Sequence, residues 1–264
     1  MRETAAAYAA TSAFGAPTAV AAYAGLAVER RDALTAGLAE LVSRLTARRL
    51  GYVARTSTGE YERALRVAQV TAALDLMLRD MARGDHLGVS LTRDAALADT
   101  VEWILRREER IVPAAHNGHV QRYPVAVPGV PPAATLGMHL ADRLGAAYRV
   151  VGTTTAAGRT LNTGPGFYAG ELFTDLDGAP RPGSLDALLA ASHDGPYAVD
   201  LRRLGPADTA ALRAVDSQRF GAFHTDQDPL TAYDLVVHLP VVTAADPDPD
   251  ALAHAPADVR AAMG

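Results

Sequence analysis

The sequence contains no cysteine and no lysine, so all 25 of its basic residues are arginines. Without cysteine there is no thiol nucleophile, no disulfide and no thiolate ligand for a metal. Without lysine there is no Schiff-base amine and no phosphate-binding loop of the Walker type. An enzyme of this composition has to work with histidine, carboxylates and arginine.

Other signals are missing as well. No Gly-x-Ser-x-Gly sequence occurs, which argues against a serine hydrolase of the common α/β type. The net charge is −5, so no basic surface for nucleic acid is predicted. No apolar run has the length of a membrane span, and the alanine-rich start, which carries Glu3, does not have the form of a secretory signal. We therefore expect a cytoplasmic protein that binds neither nucleic acid nor a membrane.

Hydrophobic periodicity predicts helices first and then an alternation of strands and helices. The near-continuous apolar runs predict buried strands, and helices between them indicate an α/β fold with a mainly parallel sheet, flanking helices and an N-terminal helical segment. We expect a helical segment over 1–91, an α/β portion over 92–245 and an acidic, proline-rich tail over 246–264. The strands are predicted at Ile111–Ala115, Tyr148–Thr153, Tyr197–Leu201 and Tyr233–Leu239.

Two boundaries and one irregular stretch complete this prediction. Gly84–Leu91 is predicted as a loop, and Thr92 is predicted to cap the helix that carries Arg93. Ala156–Pro182 shows no regular period and is predicted to be irregular.

The first predicted strand ends in a polar motif: His116, Asn117, Gly118 and His119. Ligands of open α/β sheets bind where strands end, and histidine exchanges protons near neutral pH. The alternative is structural, because Asn-Gly is a common turn dipeptide and a histidine can cap a strand end. Two histidines at i and i+3 could also bind a metal, but no third ligand lies nearby in sequence, so no metal is expected.

Four stretches of the sequence resemble the erythromycin esterase family. That family carries an Arg-Asp-x-x-Met-Ala-x-Asn-x-x-Trp helix and then a strand that ends in His-Asn-x-His. Here the helix reads RDAALADTVEW from Arg93 to Trp103, and the strand end reads AHNGHV from Ala115 to Val120. Gly137–Gly145 resembles the family's Met-Gly-x-x-Leu stretch, and Tyr233–Thr243 resembles its closing strand. The resemblance covers most of residues 60–245.

The sequence departs from the family pattern in three places. Leu97 stands where the family has Met, a harmless exchange in a core, and Thr100 stands where it has Asn. The family's N-terminal Gly-Glu-x-x-His-Gly motif, which supplies its presumed catalytic base and a carboxylate, does not occur. We therefore expect the chain to correspond to the C-terminal part of such a protein.

The resemblance implies a hydrolase that opens a macrolactone or a related ester with a histidine-activated water, as in macrolide antibiotic resistance, without a cofactor. His116, His119 and Arg93 are then the catalytic residues, and they supply the electrophilic half of the site while the base comes from the missing motif. For Arg93 the alternative is a pairing with Asp94 or with the loop.

Asn117, Tyr168 and Glu171 are the candidates for binding a small-molecule ester. The alternative for Glu171 is a solvated side chain at the surface, which is the usual state of a glutamate. His238 lies in a predicted strand and is expected to be a packed core residue.

A second hypothesis is a non-catalytic remnant or small-molecule-binding module of the same fold. An incomplete sheet would leave apolar surface exposed, so homo-oligomerisation remains an alternative to a monomer.

Overall fold

The computed structural model describes residues 16–127, 129–162, 164, 166–167, 171–176, 178–221, 223–246, 248–255 and 260. The chain forms two compact units, which divide between Pro113 and Ala114. None of the helices in the described part of the chain is both long and apolar enough to cross a membrane.

The first unit consists of helices. They are α1 (Ala16–Ala24), α2 (Val28–Ala47), α3 (Arg49–Val53), α4 (Thr58–Ala82) and α5 (His86–Leu105). The long helix α4 buries Tyr61, Ala68 and Leu78. It also buries Asp75, whose carboxylate accepts hydrogen bonds from the hydroxyl groups of Tyr23 and Thr35. The buried charge is thereby supplied with donors, as a carboxylate in a protein interior requires.

Side chains at the helix starts explain where these helices begin. Ser57 accepts a hydrogen bond from the backbone N–H of Glu60 at 3.2 Å, the pattern of a capping box at the start of α4. Asp85 accepts from the N–H of Gly88 at 2.8 Å and caps α5. The predicted loop over 84–91 and the predicted cap at Thr92 are therefore wrong, because the Asp85 carboxylate satisfies the free amide of the first turn and the helix starts earlier.

The second unit combines helices with strands. The helices are α6 (Asn117–Val120), α7 (Leu136–Leu144), α8 (Leu185–Ser192), α9 (Pro206–Arg213), α10 (Pro229–Ala232) and α11 (Pro249–His254). The strands are β1 (Val151–Leu161), β2 (Phe173–Asp175), β3 (Tyr197–Asp200), β4 (Ser217–Phe220), β5 (Phe223–Asp226) and β6 (Leu235–Val242). The predicted α/β class, with flanking helices and a helical N-terminal segment, is confirmed.

The main sheet has the strand order β2-β1-β6-β3, and β4 and β5 form a separate hairpin. β1 and β6 are parallel, with Thr153 opposite Val237, whereas β2 and β3 run antiparallel to their neighbours. The sheet is mixed rather than mainly parallel. A parallel neighbour needs a long crossover, which the helices between β1 and β6 supply, whereas a loop is enough to bring an antiparallel strand back.

Two of the strand predictions need correction. Ile111–Ala115 is not a strand: it pairs with none of the described residues, and Val112 is 95% exposed. An apolar run becomes a strand only when a neighbour satisfies its backbone groups, and periodicity does not show that neighbour. The stretch predicted to be irregular holds the second part of β1 and the whole of β2, where Arg159 lies opposite Asp175.

Asp234 fixes the edge where β1 and β6 begin. Its carboxylate accepts from the backbone N–H of Val150 at 2.8 Å and from Arg122 at 2.6 Å, and Arg149 lies at 3.2 Å. Burial alone would raise the pKa of Asp234, but these donors and charges outweigh it and hold that pKa below its ordinary value. The residues after α6 are thereby tied to the sheet through Arg122.

Candidate functional site

The His-Asn-Gly-His motif forms a short helix, α6, that is capped by its own first histidine. His116 has an extended backbone, and its Nδ1 accepts a hydrogen bond from the backbone N–H of Gly118 at 3.1 Å. A Cβ at position 118 would lie 3.2 Å from that nitrogen and 3.4 Å from the ring of Phe220. Glycine therefore lets the imidazole lie close to the turn.

This hydrogen bond determines which ring nitrogen carries the proton. Because Nδ1 accepts from an N–H group, the neutral imidazole of His116 holds its proton on Nε2. Among the described residues, Nε2 has no hydrogen-bond partner. His116 thus presents a free N–H donor, and its Nε2 can accept a proton only if the bond to Gly118 is given up.

The surroundings of His116 keep the ring neutral. The residue as a whole is exposed, but its ring packs edge-on against Phe220, with centroids 5.0 Å apart. Desolvation of the ring, and secondarily the charge of His119, lower the pKa of His116 below its ordinary value of 6.5. Both causes act in the same direction, so the ring is neutral at physiological pH.

Asn117 anchors the motif to strand β1. Its carboxamide donates from Nδ2 to the carbonyl oxygen of Thr153 at 2.6 Å and accepts from the Thr153 N–H at 3.1 Å. Gln218, on β4, donates to the same carbonyl at 3.0 Å. Asn117 and Gln218 are both buried. The contacts give Asn117 a positioning role, and a contact with substrate stays a prediction.

A buried amide network continues from Gln218. The Tyr233 hydroxyl donates to Gln218 at 2.8 Å, and Gln227 donates to Gln218 at 3.0 Å and to Gln121 at 2.8 Å. All four side chains are at most 4% exposed. Burial raises the pKa of Tyr233. Its hydroxyl therefore stays protonated and remains a donor, so the network ties the end of α6 to β4 and to the start of β6.

Two other predicted site residues, Arg93 and His119, lie on helices. Arg93 lies on α5 in the first unit, where it is exposed and has interaction partners. His119 lies on α6, is partly buried, has interaction partners and acts electrostatically on His116. The convergence of Arg93 with the two histidines stays a prediction.

The remaining two candidates lie in the stretch between β1 and β2. Tyr168 falls outside the described residues. Glu171 is exposed, and its carboxylate makes no hydrogen bond or ion pair with the described residues, whereas its backbone binds Gly166 and Asn162. A role of Glu171 in substrate binding stays a prediction.

Thr100 and His238 both make polar contacts inside their own units. Thr100, which stands where the family has Asn, accepts a hydrogen bond from Arg66 at 2.6 Å and donates to the carbonyl of Ala96. The shorter side chain thus retains a polar contact inside the first unit. His238 is 1% exposed and bonds to Thr154 at 2.9 Å through Nδ1, so its predicted place in the core is confirmed.

Sequence reasoning missed Thr153, Gln218 and Phe220, which hold and shield the motif. Glutamine is normally exposed, so no pattern marks Gln218 as a buried partner. Phe220 belongs to a four-residue hairpin strand that is too short for a clear period. The one available signal was Gly118, since a glycine within a histidine motif indicates a close approach.

The comparison with known proteins decides the family. The sequence profile of the family described as "Erythromycin esterase" matches residues 1–242. The chain belongs to the erythromycin esterase family. A curated relative, "Erythromycin esterase type II" from Escherichia coli, is 28% identical over 134 residues, which are 48% of this chain and 32% of the relative.

Solved structures share the fold of this erythromycin esterase family member. A histidine-to-asparagine mutant of the erythromycin esterase EreC in its open conformation matches with a TM-score of 0.71 and 17% identity, over 94% of this chain and 61% of that one. A succinoglycan biosynthesis protein matches with a TM-score of 0.65 and 18% identity, over 87% of this chain and 56% of that one. A protein from Bacillus cereus matches with a TM-score of 0.66 and 19% identity, over 85% of this chain and 55% of that one.

The chain is therefore shorter than the relatives that it matches, and these structures show its fold alone. Among the described residues, no three histidine, aspartate or glutamate side chains are grouped so that they could hold a metal ion. The motif presents a neutral imidazole that donates from Nε2, which is the arrangement for polarising a carbonyl group or stabilising an oxyanion.

Proposed function

We propose that this chain carries the hydrogen-bond-donating part of an ester-hydrolysing site of the erythromycin esterase type. The observation that supports this most directly is the hydrogen bond from the Gly118 N–H to Nδ1 of His116, at 3.1 Å. It leaves the Nε2–H group free to bind an ester oxygen. Membership of the family supplies the reaction class, and a macrolactone or a related small-molecule ester is the substrate class that we propose.

The chemistry follows from the protonation of His116. A water oxygen attacks the ester carbonyl carbon, the carbonyl oxygen gains negative charge, and the Nε2–H group donates a hydrogen bond to it. When the acyl–oxygen bond then breaks, the alkoxide takes up the proton that the base has removed from the attacking water. A preorganised donor of this kind contributes roughly 10²–10³-fold to the rate.

The base that takes the proton of the attacking water is a separate group in this proposal. Nε2 of His116 already carries a proton, and Nδ1 is occupied by Gly118. A positioned base contributes roughly 10²–10⁴-fold, so a site with the donor alone hydrolyses esters slowly. In the family pattern that base belongs to the Gly-Glu-x-x-His-Gly motif, which this sequence does not contain.

The test compares two proteins: this chain, and this chain joined behind a segment that carries the Gly-Glu-x-x-His-Gly motif. Each is incubated with erythromycin, and the gain of one water is followed by mass spectrometry. We expect turnover by the joined protein and little by the chain alone. His116→Ala should lower kcat of the joined protein by roughly 10²–10³-fold, whereas His254→Ala, at an exposed histidine of the same unit, should leave it unchanged.

Two outcomes would contradict the proposal. Equal turnover by both proteins, abolished by His116→Ala, would make His116 the base. Binding of erythromycin without turnover by either protein would instead support the non-catalytic binding module.

A further inference from the structure

A cavity lies in the α/β unit, and the His-Asn-Gly-His motif does not line it. It has a volume of about 210 Å³ and is lined by residues of β1, β2, the following turn and the β4–β5 hairpin. Sites for drug-sized ligands span roughly 300–1,000 Å³. A macrolide therefore does not fit, and the volume suits a small ligand. The polar and charged lining consists of Thr160, Thr174, Asp175, Arg181, Arg219 and His224.

Arg219 is held rigidly in this lining. Its Nη2 donates to the carbonyl oxygens of Thr155 at 2.8 Å and Ala156 at 2.9 Å, and its backbone N–H donates to Asp186 at 2.8 Å. Its Nη1 has no hydrogen-bond partner among the described residues, and its Nε is buried and likewise makes no hydrogen bond with them. A guanidinium fixed on one side with a free donor on the other loses little conformational entropy when it binds a ligand.

Arg181 and His224 add two further donors without partners. Arg181 is exposed and forms no ion pair with a described residue. The Nε2 atom of His224 is buried and makes no hydrogen bond with a described residue. Buried donors in native proteins almost always have a partner, so an orphaned one calls for an explanation.

The charge of the lining is positive. Asp175 is the acid among the lining residues, and it lies 3.3 Å from Nε of Arg159, outside the lining. Asp186 is not among the lining residues, and its carboxylate accepts from the backbone N–H groups of Thr155 and Arg219. Arg181 and Arg219 both line the cavity, and neither side chain forms an ion pair with a described residue, although Asp186 acts electrostatically on Arg219.

We propose that this cavity binds a small anion that carries a carboxylate or a phosphate-type group. Arg219 provides a preorganised Nη1 donor, Arg181 provides an exposed cation of the lining, and the unpartnered Nε2 of His224 provides a further donor when it carries the ring proton. The site is independent of the ester-hydrolysing site, so its test does not depend on any esterase activity.

The experiment titrates the full chain with sulfate, a tetrahedral anion that does not titrate near neutral pH, and separately with acetate. Each anion replaces chloride at constant ionic strength, because a change in ionic strength alone would alter the screening and therefore the strength of weak electrostatic binding. Binding is followed by calorimetry and by the ring signals of His224, assigned with His224→Gln. We expect dissociation constants in the low millimolar range or below for one of the two anions.

A bound anion should also raise the pKa of His224. That pKa now lies below its ordinary value because of burial, with Arg219 and Arg181 lowering it further and Asp186 and Asp216 opposing them. Preference for sulfate would identify a phosphate-type ligand, and preference for acetate would identify a carboxylate.

The matched variants are Arg181→Ala and Arg213→Ala. Arg213 is an exposed arginine of the same unit that forms no ion pair among the described residues. Removing Arg181 should weaken binding by roughly tenfold, the effect of one charge-assisted hydrogen bond, and removing Arg213 should not. The proposal is overturned if neither anion binds, or if both variants weaken binding equally, since binding would then reflect general surface charge.

Discussion

The side chain of Asn117 and the backbone of Thr153 bind each other in both directions. Nδ2 donates to the Thr153 carbonyl at 2.6 Å, and Oδ1 accepts from the Thr153 N–H at 3.1 Å and from its hydroxyl at 3.3 Å. Asn117 thereby replaces a neighbouring strand at this point of β1. Because Asn117 and Gly118 are consecutive, this contact also fixes the N–H group that binds His116.

Replacing Asn117 should loosen β1 locally. Asn117→Ala removes the hydrogen bonds to the N–H and carbonyl of Thr153, an exposed residue, at a cost of about 0.5–1.5 kcal/mol for each bond. We expect faster amide exchange along Val151–Thr155, measured by hydrogen–deuterium exchange. Asn162→Ala is the control, because the half-buried Asn162 side chain bonds to backbone groups of Glu171 and Gly164, outside Val151–Thr155. Unchanged exchange in the Asn117 variant would show that the hydrogen bonds between Asn117 and Thr153 are not needed to hold β1.

Phe220 should set the pKa of His116. Phe220→Ala removes the ring that packs against the imidazole, water reaches His116, and its pKa should rise toward 6.5. Nitrogen chemical shifts followed from pH 5 to pH 8 would give both this pKa and the tautomer. Above the pKa they should show the proton on Nε2. A proton on Nδ1 at neutral pH would contradict the hydrogen bond to Gly118.

A methyl group at Gly137 should not be tolerated. A Cβ there would lie 2.1 Å from the carbonyl oxygen of Val120, which also accepts from the Tyr148 hydroxyl at 2.6 Å. Gly137→Ala should destabilise the second unit by about 3 kcal/mol, the upper end for overpacking. Gly37→Ala is the opposite case: Gly37 lies inside α2 with nothing within 4 Å, so alanine should stabilise that helix by about 1 kcal/mol. Denaturant unfolding of the two variants would be compared with that of the parent chain.

His238 should make the second unit less stable in mild acid. Burial lowers its pKa below the ordinary 6.5, so the folded state favours the neutral ring. Its contribution to stability is then fully present above pH 6.5 and is lost as the pH falls through the lowered pKa. The free energy of unfolding of the parent chain should fall between pH 7 and pH 5. His238→Gln should reduce the slope of this fall by up to about 1.4 kcal/mol per pH unit. His254→Gln, at an exposed position, should not flatten it, and equal slopes for His238→Gln and the parent chain would refute the assignment.

The sequence alone determined the family, the helical N-terminal segment and the importance of the His-Asn-Gly-His motif. These follow from local information: the 3.6-residue period of the helices, the capping residues and the order of a few polar side chains. Thr135 caps α7 and Ser184 caps α8, and each stands directly before its helix in the sequence. Such features depend on residues only a few positions apart, which is why a sequence shows them.

The tertiary structure decided which contacts the side chains of the motif make. Thr153 and Gln218 bind Asn117 or share its partner, yet they lie 36 and 101 positions beyond it in the chain. The apolar run at Ile111–Ala115 has the pattern of a strand but pairs with none of the described residues, and the stretch after Ala156 forms strands because β2 and β6 pair with it. Strand formation and the protonation of His116 both depend on which groups meet in space, and no local pattern carries that information.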